Sequence, residues 1–178
     1  MRQSIVLIGM MGAGKTAVGT ELARQLGVRF VDSDAEIETA AALTVSEIFE
    51  RFGESFFRDR ETQVLERLLS GPAGILATGG GAWVQPRNRD LIGRSAVSVW
   101  LDCDLETLWR RVRSRPTRPL LKTPDPRGTL KRLLAERRPA YALADVTVAV
   151  GQDDLLGVTV DKVLAAIRAA RPDALEPA

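Results

Sequence analysis

The chain has 178 residues, 45% apolar and 27% charged, with a net charge of +2. That bounds it to one domain, residues 1–178, with a full core and excludes a disordered chain. One cysteine, Cys103, and no histidine exclude a disulfide framework, a Cys-rich zinc site, Ser-His-Asp chemistry and most zinc hydrolase mechanisms. No apolar run reaches bilayer-spanning length. The short run Ile5-Val6-Leu7-Ile8 leads at once into Gly12-Ala13-Gly14-Lys15, as a buried strand entering a loop does, so a cytoplasmic protein is expected.

In chain order, the pattern predicts a strand over Ser4–Ile8, a helix over Lys15–Leu26 and a strand over Arg29–Val31. Helices follow over Thr44–Arg51 and Glu54–Leu69. Thr44-Val45-Ser46-Glu47 is a capping box, with Leu43 and Ile48 at the hydrophobic staple positions. A strand is predicted over Gly74–Ala77, then a glycine-rich strand end and polar turn over Gly79–Arg89, and a strand over Ala96–Leu101. A helix over Leu105–Arg113 precedes Ser114–Arg127, whose prolines Pro116, Pro119, Pro124 and Pro126 exclude a regular helix. A long irregular segment in a compact domain is a lid or binding loop, here about residues 113–126. A helix over Arg127–Leu143, a strand over Val146–Val150 and a helix over Asp154–Ala169 complete the pattern, and the tail 171–178 is expected to fray. Apolar strands alternating with helices imply a parallel five-stranded sheet covered on both faces, a three-layer α/β/α architecture.

Gly9-Met10-Met11-Gly12-Ala13-Gly14-Lys15-Thr16 fits G-x-x-x-x-G-K-[ST] between a strand and a helix, the context that a phosphate loop requires. Its backbone N–H groups turn inward onto phosphate oxygens, and the helix adds its positive N-terminal end. Lys15 then reaches the β- and γ-phosphates and the Thr16 hydroxyl ligates Mg²⁺. Gly12-x-Gly14-x-x-Ala17 also fits the dinucleotide fingerprint, with Asp32 and Asp34 near the spacing of its ribose acid, but that turn has no use for Gly9 or Lys15-Thr16. No base-reading N-K-x-D is present, which favours ATP over GTP.

Several residues point to the acceptor. Asp32-Ser33-Asp34 follows the second strand, whose C-terminal end shares a crevice with the phosphate loop. On an extended chain the two carboxylates face one side, one for a metal and one for an acceptor hydroxyl; the plainer alternative is a helix N-cap by Asp34. Arg58 and Glu61, at i and i+3 beside Phe56-Phe57, make either a surface ion pair or a partly buried arginine that wants an anion. Gly79-Gly80-Gly81 marks either close approach of a ligand to backbone or a loose turn. Arg118, on the proline-rich segment, can fold over the γ-phosphate, and Arg137 could join Arg58 in a carboxylate clamp. Arg110 to Arg138 holds eleven basic and two acidic residues, while Asp32 to Glu50 holds six acids and no base. That asymmetry fits a local anionic ligand; the basic stretch lacks the aromatic interleaving of a nucleic-acid surface.

Together these motifs resemble the shikimate kinase family: G-M-M-G-A-G-K-T at Gly9–Thr16, D-S-D at Asp32–Asp34, F-R-D-R-E at Phe57–Glu61, G-G-G at Gly79–Gly81, R-P-L-L at Arg118–Leu121 and R-R-P-A-Y at Arg137–Tyr141, in the family's order. The resemblance implies a P-loop NTPase fold with a mobile lid, and ATP-dependent phosphorylation of the 3-hydroxyl of shikimate. It implies ATP held by Gly12, Ala13, Gly14, Lys15, Thr16 and Ala17, with Arg111 against adenine and Arg118 on the phosphates. Mg²⁺ falls to Thr16 and Asp32. Shikimate falls to Asp34, Arg58, Gly79, Gly80, Gly81 and Arg137, and catalysis to Lys15, Asp34 and Arg118. The choice of Arg137 over Arg138 rests on counting back from Pro139 and Tyr141. The expected assembly is a monomer with no nucleic-acid or membrane partner. The segment around Gly151–Asp154 matches no adenine-contacting pattern. A kinase for gluconate or another hydroxy acid, or a non-catalytic ATP-binding regulator, stands as the alternative.

Overall fold

The computed structural model describes residues 1–114 and 119–176. Five parallel strands form one sheet in the order β2-β3-β1-β4-β5: β1 Ser4–Ile8, β2 Phe30–Asp32, β3 Ile75–Ala77, β4 Ala96–Cys103 and β5 Val146–Val150. Every residue of β1 is buried, as expected of a central strand flanked on both edges and covered on both faces. β5, at the edge, alternates buried and exposed positions. Because β1 pairs with β3 on one side and β4 on the other, the strand order reverses at its C-terminal end, where a crevice opens in sheets of this kind.

The helices among the described residues are α1 Lys15–Leu26, α2 Ser33–Ala41, α3 Val45–Leu69, α4 Pro86–Ser95, α5 Leu105–Val112, α6 Pro126–Tyr141 and α7 Leu156–Ala170. The capping box forms as read: the Thr44 hydroxyl accepts from the Glu47 amide while the Glu47 carboxylate accepts from the Thr44 amide at 2.8 Å. No described helix is long and apolar enough to cross a membrane.

The two helices read between Thr44 and Leu69 both form within α3, parted at Gly53, whose non-helical φ of 80° and ψ of 172° only glycine adopts readily. Three expectations are corrected. Residues 33–41 are helical, capped by Asp32 rather than Asp34: the Asp32 carboxylate accepts from the Asp34 amide at 3.0 Å. The two carboxylates therefore lie across a helix start and not along an extended chain. The polar turn over Gly79–Arg89 is instead a 3₁₀ turn, Ala82–Val84, and the first residues of α4, which starts with Pro86 at its N-terminal position. The tail does not fray as far as residue 176: Pro172–Leu175 forms a 3₁₀ turn with Ala174 fully buried and its carbonyl accepting from Gln3 N.

Candidate active site

The phosphate loop joins the buried β1 to α1. Gly14, the residue before α1, sits at φ 94°, a left-handed conformation that a side chain would strain. At Gly12 an added Cβ would lie 2.7 Å from Val112 Cγ1, so α5 packs directly under the loop. Lys15 Nζ donates to the Gly9 and Met10 carbonyls at 2.8 and 2.9 Å, holding its ammonium inside the ring of the loop. Arg111, from α5, donates to the Gly12 and Ala13 carbonyls at 3.3 and 3.4 Å. Thr16 Oγ1 donates to Asp32 Oδ2 at 2.9 Å, which joins the start of α1 to the end of β2. These groups open on a cavity of about 730 Å³ that extends past Arg111 to Val150, Asp154, Leu156 and Thr159.

A second cavity, of about 740 Å³, adjoins the first. The two share Met11, Thr16, Asp32, Asp34, Gly79 and Gly80 as a common wall. Beyond that wall the second is lined by the start of α3 and by Arg58, Gly81, Arg137, Leu120 and Lys122. The glycine run is neither loose nor spare. An added Cβ on Gly79 would stand 2.8 Å from Asp34 Oδ1 and 3.0 Å from Glu61 Oε1. On Gly80 it would stand 3.2 Å from Arg137 Nη1, and on Gly81 2.4 Å from Arg58 Nη2. Four charged side chains thus press on three consecutive glycines, and only hydrogen side chains leave room for them.

The charges are unequally compensated. Arg58 is 9% exposed and ion-paired twice, through Nη1 to the fully buried Glu61 at 2.9 Å and through Nη2 to Glu54 at 3.0 Å. Burial pushes the Glu61 carboxyl up to about 7; Arg58 opposes the shift, and Asp34 adds to it. Arg137, 7% exposed, makes no ion pair among the described residues. The site therefore contains a buried guanidinium with no ion pair among the described residues, at the face of a cavity, its charge opposing the rise of the Glu61 carboxyl.

Of the residues singled out from sequence, Gly12, Ala13, Gly14, Lys15, Thr16, Ala17 and Arg111 line the first cavity; Arg58, Gly81 and Arg137 line the second, and Asp32, Asp34, Gly79 and Gly80 line both. Arg118 lies outside the described residues. Arg138, the neighbour of Arg137, turns outward, paired with Asp102 at 2.8 Å and over the Trp100 ring. Sequence reasoning assigned no role to Val150, Asp154, Leu156 and Thr159; their one signal was position, after the last strand and at its crevice end. It left Glu61 undecided between a surface pair and a buried partner, and the structure buries it completely.

The family described as shikimate kinase matches residues 11–168. The chain belongs to the shikimate kinase family. Shikimate kinases of Ruegeria pomeroyi and Cereibacter sphaeroides are each 53% identical to it, over 99% of this chain and 90% and 87% of theirs. The structure of a shikimate kinase from Acinetobacter baumannii in complex with shikimate superposes with a TM-score of 0.88 at 39% identity, covering 98% of this chain and 96% of that one. A gluconokinase from Sinorhizobium meliloti, with a TM-score of 0.63 at 20% identity, shares the fold alone. ATP-dependent phosphoryl transfer is the family's chemistry, and the gluconate alternative is not favoured.

Proposed function

We infer that the protein transfers the γ-phosphate of ATP to the 3-hydroxyl of shikimate, giving 3-phosphoshikimate and ADP. The observation that carries this reading is Arg137, a buried guanidinium with no ion pair among the described residues, beside Arg58 in a cavity that shares a wall with the phosphate-loop cavity. Burying a charge in this way costs stability unless an anion completes it, and the carboxylate of the acceptor is that anion. Arg58 and Arg137 together hold it, and the charged faces pressed on Gly79–Gly81 fix where the ring lies.

Asp34, in the wall shared by the two cavities, binds the acceptor hydroxyl and accepts its proton as the bond to phosphorus forms. Lys15 leaves the Gly9 and Met10 carbonyls for the phosphate oxygens when the nucleotide enters. Arg111 packs against the adenine end of the first cavity. Thr16 and Asp32 bring a hydroxyl and a carboxylate together at the mouth of the loop, hard oxygen donors suited to Mg²⁺, which keeps much of its own water and takes substrate phosphate. When bound there, the metal neutralises phosphate charge. Residues 113–126 serve as the lid, with Arg118 reaching the transferring phosphoryl group and closure keeping water from it. The reading includes a monomer working in the cytoplasm, with no nucleic-acid or membrane partner.

Arg58→Ala and Arg137→Ala test the clamp. Each should raise the shikimate KM by about a hundredfold, the scale of a lost charge-assisted contact, with the ATP KM nearly unchanged. A shikimate KM that stays near wild type in both variants would remove the clamp from the account.

A further inference from the structure

Arg58 and Arg137 are held in different ways. Arg58 is fixed by two carboxylates, which also cancel its charge. Arg137 has no ion-paired carboxylate among the described residues, yet a long, flexible side chain does not hold a guanidinium still unaided. The group beside it is Tyr141, four residues on and therefore on the same face of α6. The Arg137 guanidinium counters the upward push of burial on the Tyr141 phenol, as a cation facing that hydroxyl does. The same hydroxyl donates to the Gly80 carbonyl, and it stands 3.5 Å from the sulfur of Met10 in the phosphate loop. Gly80 in turn packs against Arg137 Nη1.

The Tyr141 ring is fully buried, with the Trp100 ring 5.8 Å away. The end of α6 is tied to the glycine loop a second time, by Trp83 Nε1 donating to the Ala140 carbonyl at 2.8 Å. One buried phenol therefore joins the phosphate loop to the glycine loop at Gly80, the residue that also packs against Arg137.

We propose that Tyr141 is a positioning residue for the acceptor: its neutral hydroxyl bridges Arg137 and the Gly80 carbonyl, fixing the guanidinium in place without neutralising it. The chemistry explains the choice of residue. A carboxylate at this point would orient Arg137 equally well but would cancel the charge that the acceptor anion needs. A phenol accepts from the guanidinium through an oxygen lone pair and donates its one proton to the carbonyl, so both polar groups are satisfied and the positive charge stays available. Burial keeps that proton in place, pushing the phenol up to about 12.

The proposal rests on the reading of the second cavity as the shikimate site, and Tyr141→Phe, which removes the hydroxyl and keeps the ring, tests it. Steady-state kinetics are measured for wild type, Tyr141→Phe, Arg137→Ala and the double variant, varying shikimate and ATP separately. The expected result is a shikimate KM about tenfold higher in Tyr141→Phe, the size of one hydrogen bond to a charged group, with the ATP KM within about twofold of wild type. In the Arg137→Ala background the same change should cost little further in kcat/KM, because the group it positions is gone. An unchanged shikimate KM, an equal loss for both substrates, or an undiminished loss in the Arg137→Ala background would overturn the proposal. A wild-type protein with no shikimate-dependent turnover would instead remove the reading on which the proposal stands.

Discussion

Gly81 offers the sharpest test of how tightly the acceptor side is built. A methyl group added there would meet three atoms of the Arg58 guanidinium at once: Nη2 at 2.4 Å, Cζ at 2.5 Å and Nη1 at 2.6 Å. Ordinary contact begins at 3.4 Å, so the guanidinium or the loop must retreat by about 1 Å. The guanidinium cannot rotate out of the way, because Nη1 is held by Glu61 and Nη2 by Glu54. The backbone is not the obstacle, since Gly81 has φ −95°, which alanine adopts freely. A displacement near 1 Å in a substrate-positioning group costs about 10²-fold in rate, so Gly81→Ala should lower kcat/KM for shikimate by about a hundredfold with the ATP KM nearly intact. Gly93→Ala is the control: it lies exposed inside α4 with nothing within 4 Å of the added carbon, so it should keep full activity and gain about 0.5–1 kcal/mol of stability. Initial rates at varied shikimate, with thermal melts of both variants, decide the matter. A Gly81→Ala enzyme with wild-type kcat/KM would show that Arg58 does not lie in the substrate path.

Three further outcomes follow from the same geometry. Glu61 is raised from 4.5 to about 7 in the folded state, so the native protein binds more protons than the unfolded one between those values, and this carboxyl's contribution to stability is lost as pH rises through them. Urea unfolding of wild type against Glu61→Gln should show a stability difference that changes across that pH window; a difference independent of pH would contradict the assignment. Asp34→Asn should cut kcat by about 10²-fold or more while leaving ATP binding unchanged, measured by turnover and by nucleotide titration. Thr44→Ala breaks the capping box of α3 and should cost about 1 kcal/mol in thermal or denaturant unfolding.

Much of the fold was legible because its signals are local. The phosphate loop is a contiguous motif between a strand and a helix, and Thr44-Val45-Ser46-Glu47 carries its cap in four residues. All five strands fall within two residues of their expected bounds. α4 was missed because Pro86–Ser95 offers only Leu91 and Ile92 among arginines, asparagine and glycine, too few apolar residues to show a helical period. α2 was only an alternative because its start depends on Asp32 capping its own chain, a choice that competes with metal and acceptor roles for the same carboxylate. At the site, the residue types were readable but their compensation was not. Whether Arg58 is ion-paired, and Arg137 not among the described residues, depends on which side chains the third strand and its glycines bring together. Glycine spacing alone cannot state that an added carbon would strike Asp34, Arg137 and Arg58 in turn.

The most direct measurement is ADP release with Mg-ATP, with and without shikimate, and in parallel with gluconate and quinate. The account predicts strong release with shikimate and near-background release with the other two. Release without acceptor dependence, or release driven by gluconate in place of shikimate, would contradict the assignment of the second cavity to shikimate while leaving the phosphate loop as read.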